Sequence, residues 1–177
     1  MSSKTLVFKK SPFDREFRQL MYGLLAKAEE EVLVVTGEAG AFKNYEDLRW
    51  AIRGASGRGV RVKVYALSPE QSTINKMISY GCEVYLGDKV PKDHYTVIDK
   101  KIVITSLEHE PLDIGVRQGM AVFDVRKAEL KAKEFSEYQK KALKAKIDLE
   151  GDPLLRVLKE PLHLSFRTDS RNIELSS

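Results

Sequence analysis

Hydrophobic residues recur along this chain at two spacings, and the spacing changes repeatedly from one to the other. Residues 31–36 form a nearly continuous apolar run, which is typical of a strand buried on both faces. Residues 60–65 alternate as in a half-exposed strand, and further strands are predicted at 82–86 and 118–123. Helical spacing separates or follows these strands. The alternation predicts an α/β fold with a mixed, mainly parallel sheet and helices on both faces.

Four predicted helices each carry one apolar stripe, which we assign to the core. The first begins at Ser11-Pro12, with Ser as the N-cap, and the last runs from about Arg126 to Lys146. Trp50 falls outside its stripe and is interpreted either as a partly covered surface residue or as a subunit contact. The stripes are Phe13, Phe17, Leu20, Leu24 and Ala28; Leu48, Ala51, Ile52 and Ala55; Ile74, Met77 and Ile78; and Val125, Ala128, Ala132, Phe135, Tyr138, Ala142 and Ala145.

Two glycines, Gly37 and Gly40, follow the first buried strand. Backbone amides after such a strand can cradle an anion. Neither a dinucleotide-binding pattern nor a P-loop pattern is present, so a plain strand-to-helix turn is the favoured interpretation.

The stretch from His94 to Ile104 carries polar groups among β-branched residues. It predicts two short apolar strands joined by a tight charged turn at Asp99-Lys100-Lys101. Polar residues in such a setting serve either a turn or a site. We interpret the stretch as the remnant of a site.

Length and composition describe one folded domain. A chain of 177 residues, 42% apolar and 32% charged, can build one full core. The net charge of +4 permits an anionic ligand or nucleic acid but argues for neither, because no pattern gathers the charge on one face. Many Lys, Glu and Arg with few Asn, Gln and Cys are typical of a thermophilic source.

Cysteine usage and hydropathy exclude several classes of protein. The single Cys82 cannot form an intramolecular disulfide and is interpreted as a small buried apolar residue. No Cys/His cluster has zinc spacing, so we expect neither a metal nor another cofactor. No apolar run approaches ~18 residues, and the N-terminus lacks a secretory apolar region. We therefore expect no membrane span and a cytoplasmic location.

The order of elements, the run Val97-Ile98-Asp99-Lys100-Lys101-Ile102-Val103-Ile104-Thr105-Ser106 and a closing amphipathic helix resemble the phospholipase D-like superfamily over roughly residues 13–146. That superfamily's signature is His-x-Lys, four residues, then Asp, followed by a Gly-Ser step and an Asn. The resemblance implies phosphodiester chemistry in which one His attacks phosphorus and a second His protonates the leaving group. It also implies that two motifs, from two halves or two subunits, build one site.

Aligned through Asp99, the sequence departs from that signature. Lys92 occupies the position of the nucleophilic His, and His94 that of the Lys. Ser106-Leu107 stands at the Gly-Ser step and Glu110 near the Asn. A Lys ammonium has no lone pair at pH 7 unless its pKa is lowered by several units, whereas a neutral imidazole can attack. His94 cannot replace the nucleophile, because two residues along a strand displace it by ~6.6 Å.

The sequence therefore predicts a non-catalytic domain that binds an anionic or phosphate-bearing ligand through Lys92, His94 and Ser106, or an interaction or sensor module. A homodimer is expected from the resemblance. The alternative is an active, metal-independent phosphodiesterase or nuclease that uses His94, Lys92 and Asp99 across a dimer. Asp99 in a turn role alone and His94 as an ordinary strand-start residue also stay open. His109 and His163 have no candidate catalytic or binding residues near them in the sequence and are interpreted as surface or structural residues.

The chain changes character near its C-terminus. We assign residues 1–146 to the α/β domain and 147–177 to an extension in which Leu162, Leu164 and Phe166 alternate. An extension that is apolar on one side needs a surface to lie against, either on its own domain or on a partner chain.

Overall fold

The computed structural model describes residues 4–10, 15–37, 39, 42, 45–67, 69–89, 91, 93–107 and 117–147, for residues 7–10, 16–17, 106–107 and 117–119 the backbone alone. Predictions that concern residues 11–13, Gly40, Lys92, His109, Glu110 and residues 148–177 lie outside the described residues, as does the side chain of Phe17.

The described residues form helices and strands in alternation, followed by a meander of antiparallel strands. In chain order the elements are β1 (Lys4–Lys10), α1 (Arg15–Lys27), β2 (Glu31–Thr36), α2 (Glu46–Gly57), β3 (Arg61–Leu67), α3 (Gln71–Ser79), β4 (Cys82–Gly87), β5 (His94–Ile98), β6 (Ile102–Leu107), β7 (Arg117–Phe123), α4 (Val125–Lys141) and β8 (Leu143–Lys144).

One eight-stranded sheet has the order β1-β7-β6-β5-β2-β3-β4-β8. Strands β2, β3 and β4 are parallel, because α2 and α3 return the chain to the same edge between them. The other neighbouring strands pair antiparallel. The α/β class and the mixed sheet are confirmed, but parallel pairing is confined to these three strands, so the sheet is not mainly parallel.

Helices cover both faces of the sheet, as expected. On one face α1, α2 and α3 pack against alternate strand residues such as Val32, Val64 and Ile98. On the other, Ala128, Ala132 and Phe135 of α4 pack against the intervening residues, including Tyr65 and Tyr95. This two-sided burial explains why β2 reads as a continuous apolar run.

Two predicted helix stripes need correction. Among the described side chains of α1, Met21 and Leu25 are buried, whereas the predicted Leu20 and Leu24 are only partly buried. The last helix ends at Lys141 and not near Lys146, because Ala142 is extended and the chain continues as β8 beside β4. Val125, placed in that stripe, is 47% exposed.

The edge strands β1 and β8 were not predicted. Lysines flank the short apolar part of β1, and β8 has two residues. The two residues of β8 are too few to show a period-two pattern, and in the sequence of β1 the apolar residues 6–8 are consecutive and do not alternate with polar ones. No helix among the described residues has the length and apolar character that crossing a membrane requires.

Candidate functional site

His94 begins β5 at the edge of the sheet where the parallel strands end. Val35, the residue before the last of β2, pairs with Tyr95 in the antiparallel register, so His94 lies beside the end of β2. Ser106 of β6 is paired with His94 through its backbone. Ligands of open α/β sheets bind at this carboxyl edge. The structure thus brings two of the predicted ligand-binding residues, His94 and Ser106, to one place.

The imidazole of His94 packs against the backbone of Gly37, which follows β2. A Cβ added to Gly37 would lie 3.4 Å from Cε1 and 3.5 Å from Nε2 of His94. The Gly37 carbonyl accepts a hydrogen bond of 2.9 Å from the Leu67 amide, which ties the end of β3 to the same edge. The half-buried ring of His94 thus packs directly on the backbone of Gly37, and a larger residue at position 37 would displace the ring.

We expect Gly37→Val to disturb His94 while leaving the fold intact. The added methyl groups extend from a Cβ already at van der Waals distance from the ring, so the imidazole must move. The His94 ring resonances in a ¹H–¹³C spectrum should shift, and the free energy of unfolding should fall by no more than about 1 kcal/mol. Gly23→Val is a control, since a Cβ there meets no atom within 4 Å. Unchanged His94 resonances in Gly37→Val would contradict this packing.

Asp99 lies at the opposite edge of the sheet from His94. Five residue steps along β5 separate the two, which corresponds to about 16 Å. The buried Asp99 carboxylate accepts hydrogen bonds from three successive backbone amides at the start of β2, those of Glu29 (3.0 Å), Glu30 (2.8 Å) and Glu31 (3.0 Å). The Asp99 amide donates to the Glu31 carbonyl at 2.9 Å. Asp99 therefore joins the β5–β6 turn to β2, and the structure does not bring it together with His94.

The turn itself is of the type that twisted hairpins prefer. Asp99 and Lys100 have φ angles of 50° and 52°, and the Lys101 amide donates to the Ile98 carbonyl at 2.9 Å. Positive φ at both central positions is the pattern of a type I′ turn, in which Asp is favoured. Lys100 also lies 3.3 Å from the buried carboxylate of Glu31.

A charged cluster that the sequence did not reveal adjoins the candidate site. Lys131 Nζ lies 3.0 Å from Asp93 Oδ2 and 2.8 Å from Glu134 Oε2. The ammonium also lies 4.6 Å from the centroid of the Tyr95 ring, and the Tyr95 hydroxyl donates to the Lys131 carbonyl at 3.1 Å. Asp93 and Tyr95 are the two chain neighbours of His94, so the cluster holds both sides of that residue.

The protonation of this cluster follows from its contacts. Burial acts to lower the pKa of Lys131, but hydrogen bonds to Glu134 and Asp93 outweigh it, and the pKa lies above its ordinary value. Burial, reinforced by the negative charge of Glu134, raises the pKa of Tyr95. Both side chains therefore stay protonated at neutral pH, as an ammonium and a neutral phenol. Lys131 is one of several lysines of α4, and no local pattern distinguishes it from the others, so the cluster has no signal in the sequence.

Cys82 is a buried residue of the core, as predicted. Burial raises the pKa of its thiol to about 12. The thiolate that a nucleophile needs is therefore not formed at neutral pH. Over the described ranges, no group of three or more His, Cys, Asp and Glu side chains is arranged to hold a metal ion.

Comparisons with known proteins place the fold. No protein-family model matches the sequence, and no relative is found among curated proteins. Among solved structures, the phospholipase D family member Nuc from Salmonella typhimurium matches with a TM-score of 0.65 at 14% identity, over 82% of this chain and 99% of Nuc. NucT from Helicobacter pylori matches with a TM-score of 0.65 at 16% identity, over 81% of this chain and 100% of NucT.

A third similar structure is TrmBL2, an archaeal chromatin protein described as showing a novel mode of DNA binding. It matches with a TM-score of 0.58 at 20% identity, over 80% of this chain and 54% of TrmBL2. At these identities the likeness concerns the fold. The chain has the phospholipase D-like fold, as the resemblance implied.

Proposed function

We propose that this chain is a non-catalytic phospholipase D-like domain that binds a phosphate-bearing or other anionic ligand at the carboxyl edge of its sheet. It would act as an interaction or sensor module, and as a homodimer. The observation that carries the proposal is the placement of the His94 imidazole against Gly37 at that edge. Lys92 and Ser106 are the further proposed ligand contacts, Ser106 because its backbone pairs with that of His94.

The residue types favour binding over chemistry. A histidine and a lysine supply hydrogen-bond donors and positive charge, which a phosphate group needs. A covalent mechanism also needs an unprotonated nucleophile within about an ångström of its productive position. The histidine stands two residues from the nucleophile's position in the signature, and a lysine stands at that position.

Retention of Asp99 does not argue for retained catalysis. Its carboxylate oxygens already accept three backbone hydrogen bonds at the end of β5 opposite to His94. A fold that needs this aspartate keeps it whether or not a reaction takes place. The one signature residue that survives is thus accounted for by the hairpin.

Ligand-induced stabilisation tests the proposal. Inorganic phosphate at about 100 times its Kd should raise the free energy of unfolding by about 2.7 kcal/mol, seen as a rise of several degrees in Tm. His94→Gln should lose about tenfold or more in affinity, whereas the matched histidine control His109→Gln should not change. A short oligonucleotide in a parallel arm shows whether phosphates in nucleic acid are bound more tightly, as the DNA binding described for TrmBL2 suggests.

The same protein samples separate binding from catalysis. Incubation with bis(4-nitrophenyl) phosphate should release no 4-nitrophenol. Turnover that disappears in His94→Gln would favour the alternative, an active phosphodiesterase. Absence of both phosphate binding and turnover would remove the proposed site altogether.

A further inference from the structure

We propose that Lys131 of α4 is a positioning residue for the candidate site, because it anchors Asp93 and so fixes the point at which the chain enters β5 at His94. The inference rests on the proposed function of the His94 site. Lys131 lies on the α4 face of the sheet, the face opposite to that of the imidazole.

The anchoring contacts converge on the entry to β5 from one element. The ammonium of Lys131 binds Asp93 at 3.0 Å, and its backbone carbonyl accepts the Tyr95 hydroxyl at 3.1 Å. Side chain and main chain of one helical residue therefore hold both neighbours of His94. With its neighbours fixed to α4, the rotation of the strand at His94 is fixed as well, and the imidazole is directed to the opposite face, towards Gly37.

These contacts differ from an ordinary surface ion pair. The Lys131 side chain is only 22% exposed, is shared between two carboxylates and lies over an aromatic ring. An ordinary exposed pair on the same helix is available for comparison, since Lys140 and Glu137 lie 2.7 Å apart with 68% and 62% exposure. Restricted side chains in a network hold a geometry that exposed flexible pairs do not.

Lys131 also lessens the negative charge beside the site, because its ammonium balances one of the two carboxylates. Asp93 is next to His94 in the chain, and without Lys131 its carboxylate and that of Glu134 would lack their shared ammonium. Loss of the ammonium would change the formal charge of the cluster from −1 to −2, which would oppose a phosphate more strongly. Lys131 therefore affects the site in two ways, by fixing the backbone at His94 and by reducing the negative charge near it.

The test compares Lys131→Met with Lys131→Arg, and uses Lys140→Met as the matched control. Lys131→Met should shift the ring resonances of His94, which are readily assigned because the chain has three histidines. It should also weaken binding of inorganic phosphate by about fivefold. Lys131→Arg should restore both values to within about twofold, and Lys140→Met should change neither.

A second test breaks the Lys131–Asp93 ion pair by replacing the aspartate. Asp93→Asn should shift the His94 resonances in the same way, and in a double-mutant cycle its effect and that of Lys131→Met should not add. Unchanged His94 resonances in both single variants, or additive effects, would overturn the inference. The NMR readout needs no ligand, so failure of the wild type to bind phosphate would reject the proposed function and still leave this inference decided.

Discussion

Replacing Asp99 by alanine is expected to lower the free energy of unfolding by about 4 kcal/mol and the Tm by about 10 °C. The change removes a buried carboxylate that accepts three amide hydrogen bonds, at 3.0, 2.8 and 3.0 Å. Unsatisfied amides cost about 1–3 kcal/mol each when they stay buried. Alanine also tolerates the φ of 50° less well than aspartate does. Urea denaturation at constant m value gives the difference directly.

Two variants show whether the loss belongs to these particular bonds. Asp99→Asn keeps one acceptor oxygen and suits a positive φ, but its NH2 group would face a backbone N–H where a carboxylate oxygen now accepts. A loss of about 1–2 kcal/mol in the free energy of unfolding is therefore expected. Asp124→Ala removes an exposed helix cap that accepts from the amides of Arg126 and Lys127, and should cost about 1 kcal/mol. An Asp99→Ala variant no less stable than Asp124→Ala would contradict the structural role of Asp99.

Replacing Gly87 by alanine is expected to destabilise the protein by about 3 kcal/mol. A Cβ at Gly87 would overlap the hydroxyl end of the Tyr65 ring. That ring cannot move freely, because Tyr65 is buried, donates to the Lys89 carbonyl at 3.0 Å and stacks on Tyr138 at 4.8 Å. Thermal denaturation followed by circular dichroism measures the loss.

The matched control for Gly87→Ala is Gly23→Ala in α1. A Cβ there meets no atom within 4 Å, and alanine is the better helix former, so the stability should rise by up to about 1 kcal/mol. A Gly87→Ala variant as stable as the wild type would mean that Tyr65 does not occupy this position.

The elements that the sequence predicts well are those that local pattern determines. Two-sided burial gives β2 its continuous apolar run, and the residues at 99 and 100 give the hairpin its turn. The buried face of α2, formed by Ala51, Ile52 and Ala55, is also as predicted, because a helix that packs on one side shows its period in a few residues.

The features that the sequence does not predict depend on residues far apart in the chain. Asp99 satisfies an amide that is 70 residues away at Glu29, and Lys131 binds an aspartate that is 38 residues away. No local pattern carries either contact. The extent of parallel pairing was overestimated for a similar reason, since strand order is fixed by contacts between elements and not by periodicity within them.

The sequence singles out His94 as a candidate site residue but does not predict its surroundings. The motif position of His94 pointed to a site, but its packing against Gly37 follows from the antiparallel placement of β5 beside β2, which the sequence alone left open. For Asp99 the sequence leaves both a turn role and a site role open. The three amide bonds account for the turn role in full.

The most direct measurement is a ¹H–¹³C NMR titration of the histidine rings with bis(4-nitrophenyl) phosphate. We expect a saturable shift of the His94 resonances, no comparable shift of His109 or His163, and an unmodified ring when the ligand is washed out. A phosphorylated ring that survives removal of the ligand would contradict the account, and so would a His94 ring whose resonances do not move at saturating ligand.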